Sequence, residues 1–199
     1  MSAEFATNVL WIVWYVTWIA AVIWSARTKT QMKTDMTGIH RFLFSLGLVL
    51  LLVLPSGSGK PLFGLAFAGW FTERLWPMPD WAAWSLFALV AAGFGFCWWA
   101  RGHLGRLWSG FVTLKEGHRV VDTGPYALVR HPIYSGVIFA SLMTAVMRAS
   151  VAALAGFVLI VIGLSMTARI EERFLREQLG AEAYDAYGRR VAMLVPLFR

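Results

Sequence analysis

Five runs free of Asp, Glu, Lys and Arg divide the chain: 5–26, 42–59, 81–100, 132–147 and 149–168. A hydrocarbon core of about 30 Å takes roughly 20 helical residues to cross. By that measure four of the runs suffice, and 132–147 is slightly short unless it starts at the membrane surface. A sixth run, 61–72, is followed by Glu73-Arg74. It is too short to span comfortably and reads as a re-entrant or interfacial segment. The first run has Glu4 before it and Arg27, Lys29 and Lys33 after it. A cleaved leader begins with basic residues, so this one reads as a retained span.

The basic residues set an orientation, because Lys and Arg collect on the cytoplasmic side. With five spans and the N-terminus outside, fifteen of them fall inside and only Lys60, Arg74 and Arg148 outside. Counting 61–72 as a sixth span leaves twelve against six. The expected fold is therefore an all-α, multi-pass membrane protein with five transmembrane helices, its N-terminus outside and its C-terminus in the cytoplasm, as in a cell inner membrane. Residues 1–100 form a three-span N-terminal region, and 101–199 form a second region of two spans, a loop and a helical tail.

Composition agrees: 58% of residues are hydrophobic and 15% charged, against about 25% charged in a soluble domain. Eleven Trp suit a protein with two membrane interfaces. The +7 charge forms no stripe beside a soluble fold, so nucleic acid is not an expected partner. The lone Cys97 excludes an internal disulfide, and four scattered His give no i, i+4 pair, so no metal site is expected.

The densest chemistry lies in 124–136, Gly-Pro-Tyr-Ala-Leu-Val-Arg-His-Pro-Ile-Tyr-Ser-Gly. Pro132 suits the first position of a helix, and Tyr134 falls in its first turn. Arg130 and His131 stand just before it, where free N–H groups and cationic side chains favour an anion. The turn at Arg148 makes the fourth and fifth runs an antiparallel hairpin. Pro132 then lies about 24 Å from that turn and Arg169 about 30 Å. The hairpin therefore brings Glu171 and Glu172 level with Arg130 and His131, a constellation suited to a zwitterion. Farther along, Arg173, Arg176 and Glu177 read as a solvated helix continuation with i,i+4 pairs, whereas Glu171 and Glu172 are expected to serve the site, and Tyr184 and Tyr187 read as packing aromatics.

Three blocks in order, Gly117 to Tyr126, Arg130-His131-Pro132-Ile133-Tyr134-Ser135-Gly136, and Arg169-Ile170-Glu171-Glu172 with the tail 180–196, resemble the isoprenylcysteine carboxyl methyltransferase family. That family is related to phospholipid N-methyltransferases. The resemblance covers somewhat under half the chain. It implies a cytosolic pocket for S-adenosylmethionine, built by the 101–132 loop, the hairpin of the fourth and fifth helices and the tail. It also implies a lipophilic or lipid-modified substrate entering from the bilayer, with membrane lipids as surroundings. Carried over, His118 and the Val120, Val121 and Gly124 backbone line the adenosine side. Tyr126, Arg130, His131 and Tyr134 hold the methionine end, with Glu171 and Glu172 beside it. Arg130, His131 and Glu172 are the implied catalytic residues, with His131 or Glu172 as base for an amine acceptor. Enzymes acting on prenylated proteins in eukaryotes carry additional N-terminal spans that this chain lacks. Membrane reductases of the sterol type, which use NADPH, share a distant version of the block. They favour Asn and an acidic residue where Ile133 and Val137 stand here. A non-catalytic membrane protein would use the same residues only as helix caps and headgroup contacts.

Overall fold

Each of the five uncharged runs carries a helix within the described residues, and the ends fall where local chemistry stops them. The structure is a computed structural model and describes residues 1–24, 28–31, 37–54, 69–108, 113–115 and 120–196. Helix α1 (Ala3–Ala20) starts at Ser2, whose hydroxyl accepts from the Phe5 amide, and continues as a 3-10 turn to Trp24. Helix α2 (Thr37–Leu48) widens into a π turn, Val49–Val53. A one-turn helix α3 (Gly69–Thr72) follows. Helix α4 (Asp80–Leu104) ends at Gly105, whose φ of 57° suits glycine. Helix α5 (Pro132–Arg148) begins on its proline. It closes through left-handed Ala149 into Ser150, whose hydroxyl caps α6 (Val151–Leu179). Helix α7 (Ala181–Arg190) packs against the end of α6.

Two of these helices, Asp80–Leu104 and Val151–Gln178, are long and apolar enough to cross a membrane; Gly38–Val53 and Pro132–Arg148 are shorter apolar helices. The outward face of α1 is apolar throughout, with Ile12 63% and Val16 59% exposed. The all-α expectation needs one amendment. Strands β1 (Thr28–Gln31) and β2 (Thr113–Lys115) pair antiparallel, joining the loop after α1 to the loop after α4 at one end of the bundle. Of the 61–72 segment, 61–68 lie outside the described residues. Its end, α3, packs beside α6, and the following chain meets the hairpin turn through Leu75 N to Ala149 O (2.6 Å) and Trp76 Nε1 to Val146 O (3.2 Å).

Helices approach closely where glycines meet. On α4 and α5, a Cβ at Gly136 would lie 2.5 Å from Cys97 Sγ and 2.7 Å from Gly93 O. On α2 and α6, one at Gly156 would lie 2.6 Å from Gly47 O. Such contacts let backbones pack where lipid offers no hydrophobic drive between helices. Two arginines that the charge pattern assigned to surface loops are buried instead. Arg148 (5% exposed) donates to Leu52 O, Leu54 O and Asn8 Oδ1. Arg101 (0% exposed) donates to Ala21 O and Gly105 O and lies 4.4 Å over the Trp108 ring. Both supply donors to carbonyls near helix ends, which have no intrahelical partner.

Overpacking a filled contact costs about 1–3 kcal/mol, so Gly136→Ala is expected to lower the unfolding temperature in detergent. Gly95, on the same α4, has nothing within 4 Å of where a methyl would stand. Gly95→Ala should leave that temperature unchanged or raise it, because alanine favours helix by up to about 1 kcal/mol.

Candidate functional site

The site is assembled at the end of the bundle where α5 begins and α6 leaves its apolar stretch. Thr123 and Pro125 set a 3-10 turn, Gly124–Ala127, whose last carbonyls and amides bond locally. The chain then runs straight beside the C-terminal tail. Val129 and Ala192 form a parallel bridge, Arg130 N donates to Ala192 O (2.8 Å) and His131 N to Met193 O (3.1 Å). Ser135 Oγ adds a bond to Leu194 O at 2.6 Å. Tyr187, on α7, closes the other side by donating its buried hydroxyl to Tyr126 O at 2.7 Å.

Across the hairpin the acidic pair divides its partners. Arg130 Nε donates to Glu172 Oε1 (2.6 Å), and its Nη1 donates to the carbonyls of Gly188 and Val191. His131 Nε2 is placed to donate to the same Glu172 oxygen at 3.2 Å. Tyr134 donates its hydroxyl to Glu171 Oε2 (2.9 Å), and its ring stacks on His131 with centroids 5.3 Å apart. The apolar run of α6 ends at Ala168, so both carboxylates lie beyond it. Burial works against the charged form of Glu172, but hydrogen bonds from His131 and Arg130 outweigh it and hold its carboxyl below the usual range. Burial pushes the phenols of Tyr126, Tyr184 and Tyr187 up, so each stays neutral.

Two hollows flank this network. One, of ≈760 Å³, is walled by Val120, Val121, Tyr126, His131, Tyr134 and Glu171, and runs between α1 and α2 past Trp14, Trp18 and Phe44 to Ile12, Leu52 and Val53. The other, of ≈670 Å³, is an open cleft between α6 and α7 that takes in Glu172. Arg130 and Tyr184 touch both. Glu171 thus faces the long hollow, while Glu172 is tied to Arg130 and faces the cleft.

Most of the expected site residues converge here; two contacts differ from the sequence reading, and one expected residue is not described. His118 lies outside the described residues. Gly124, expected to let a ligand approach, has φ 57° and is approached by the His103 ring, 2.7 Å from where a Cβ would stand. Arg176, expected to pair along its own helix, is instead taken by Asp185 of the returning α7 in a bidentate contact of 2.8 and 2.9 Å. The sequence carried no signal for His103, which also bonds Thr123 Oγ1 at 2.9 Å, nor for the strap formed by 191–194. Those contacts depend on the return of distant chain.

Residues 86–177 match the model of the isoprenylcysteine carboxyl methyltransferase (ICMT) family. This stretch resembles that family. The match covers most of α4, the motif, α5 and α6 up to Glu177, and so includes every group of the Arg130–Glu172 and Tyr134–Glu171 contacts. The resemblance supports a membrane protein and methyl transfer as the class of chemistry. No curated protein matches the chain.

Tyr187→Phe removes one buried donor from Tyr126 O, a loss worth about 1–3 kcal/mol. A lower unfolding temperature is expected, with ligand affinity changed less than about fivefold, since the ring that packs the site remains.

Proposed function

We propose that the chain is a membrane methyltransferase that moves a methyl group from S-adenosylmethionine to a lipophilic acceptor reaching the site from the bilayer. The observation that carries this reading is the ≈760 Å³ hollow, polar where it meets Tyr134 and Glu171 and mostly apolar along α1 and α2, where Asn8, His40 and Arg41 are the polar exceptions. Its volume falls within the roughly 300–1,000 Å³ typical of ligand pockets, and its polar end fits the donor. Glu171 would take the ammonium, while Val120, Val121 and Tyr126 would wall the adenosine, with His118 beside them as the family resemblance implies. The donor supplies a methyl group already activated on a sulfonium. What the chain contributes is orientation and exclusion of water.

Within that reading Arg130 and Glu172 are positioning residues. They satisfy each other and hold His131 and the start of α5 in place. His131 faces the hollow and would receive a proton from an amine acceptor; a carboxylate or thiolate acceptor requires no base. Five spans with the N-terminus outside follow from the distribution of basic residues. The β1–β2 pairing supports this, since it puts the loops after α1 and α4 at one end.

Detergent-purified chain should bind S-adenosylhomocysteine in a calorimetric titration and should not bind NADPH. Glu171→Gln is expected to weaken that binding by about 30-fold or more, because loss of a charged partner typically costs about 2–5 kcal/mol, with little change in unfolding temperature. Glu172→Gln should lower stability and affinity together. Unaltered affinity in Glu171→Gln would place the ligand elsewhere, and NADPH binding in its stead would turn the reading to a reductase.

Orientation has its own check. In a Cys97→Ala background, a cysteine at Ala181 should resist an impermeant thiol reagent in intact cells, and one at Glu73 should react. Labelling at Ala181 from outside would overturn the five-span arrangement.

A further inference from the structure

The cleft between α6 and α7 carries charge that methyl transfer does not use. Arg169 and Arg173 of α6 and Arg189 of α7 line its walls, over a floor that includes Arg130, Glu172 and Tyr184. All three wall arginines are exposed, and among the described residues none forms a salt bridge, although Asp185, which also lines the cleft, lies within electrostatic reach of Arg189. Neighbours on the same helices do: Arg176 holds Asp185 and Arg190 holds Asp122. Cations gathered on one concave surface repel one another and favour an anion between them.

Position along α6 narrows the class of anion. From Val151 to Ala168 the helix rises about 27 Å, close to the roughly 30 Å of a hydrocarbon core. Arg169 then stands where headgroups begin, and Arg173 one turn beyond. Helical spacing sets Val158, Ile162, Arg169 and Arg173 on one face. Val158 and Ile162 are exposed, and the half-buried Ser165 and Met166 lie between them and the arginines on the same face. A free phosphate would use only the upper half of that surface; a lipid would use both.

We propose that this cleft holds the phosphate of an anionic phospholipid from the leaflet on the site's side of the membrane, its chains lying along Val158 and Ile162. Guanidinium groups make strong, often bidentate hydrogen bonds to phosphate. The bound headgroup would bridge α6 to α7 and so brace the Arg130–Glu172 contact from behind. This inference rests on the membrane placement of α6 and is independent of the methyl-transfer reading.

The test uses the full chain in neutral detergent, with phosphatidylglycerol, phosphatidylcholine or glycerol 3-phosphate added, read by unfolding temperature and by native mass spectrometry. Phosphatidylglycerol should stabilise the chain and remain bound, and phosphatidylcholine should do neither. The triple variant Arg169→Gln, Arg173→Gln, Arg189→Gln should lose affinity for phosphatidylglycerol by about 100-fold, as expected for three basic contacts to an anionic lipid. Arg190→Gln, outside the cleft, should stay within about twofold. Should the triple variant not fold, Arg173→Gln alone should show about a fivefold loss. Equal lipid affinity in variant and wild type would overturn the proposal. Stabilisation by glycerol 3-phosphate equal to that by the lipid would also overturn it, in favour of a soluble phosphate ester. S-adenosylhomocysteine binding, measured on the same samples, reports separately on the methyl-transfer reading.

Discussion

The contact between Arg130 and Glu172 joins three parts of the chain that are far apart in sequence. One guanidinium meets a carboxylate of α6 through Nε and two carbonyls at the end of α7 through Nη1. Both side chains are largely withdrawn from solvent, at 14% and 20% exposure. A withdrawn ion pair is favourable only when its remaining hydrogen-bonding capacity is also met. Here the carbonyls at a helix end, which have no partner of their own, meet it. The start of α5, the continuation of α6 and the return of the tail are consequently one unit, and His131 and Tyr134 take their positions from it.

That unit also works as a partition. On one side Glu171 and Tyr134 open onto a long hollow whose far walls on α1 and α2 are mostly apolar. On the other Glu172 faces a cleft rich in arginine. Adjacent carboxylates on a helix point about 100° apart, so neighbours in sequence serve two environments. One faces the long hollow while the other holds the frame. This separation lets a charged pair support a site without blocking it.

The membrane portion is held by different means. Glycine contacts bring α4 to α5 and α2 to α6 at backbone distance, which suits helices that gain little from burying apolar surface against each other in lipid. Arg101 and Arg148 add polar ties at opposite ends of the bundle, each donating to carbonyls of other elements. Glu4 and Arg74 pair near the hairpin-turn end. Polar contacts gather at the ends of the bundle, while its middle is filled by Trp11, Trp14, Phe94 and Ile160.

Much of this was written in the chain itself. The absence of charge over five runs determined five helices, because an apolar stretch of that length has few other ways to satisfy its backbone in lipid. Pro132 determined where α5 starts, and the brevity of the Arg148 turn determined that Glu171 and Glu172 come level with Arg130 and His131. Helix rise is fixed, so that juxtaposition needed only counting. Tertiary structure alone decided which partner each group took. Whether Arg176 would pair with Glu172 or Asp185 depended on how α7 folds back. Whether Arg148 would face water or Leu52 and Leu54 depended on where α2 ends in space. Gly124 met His103, Tyr187 met the Tyr126 carbonyl, and β1 met β2 through contacts between remote segments. Local sequence encodes helix length and phase through short-range geometry, but pairings across distant chain depend on how whole helices pack.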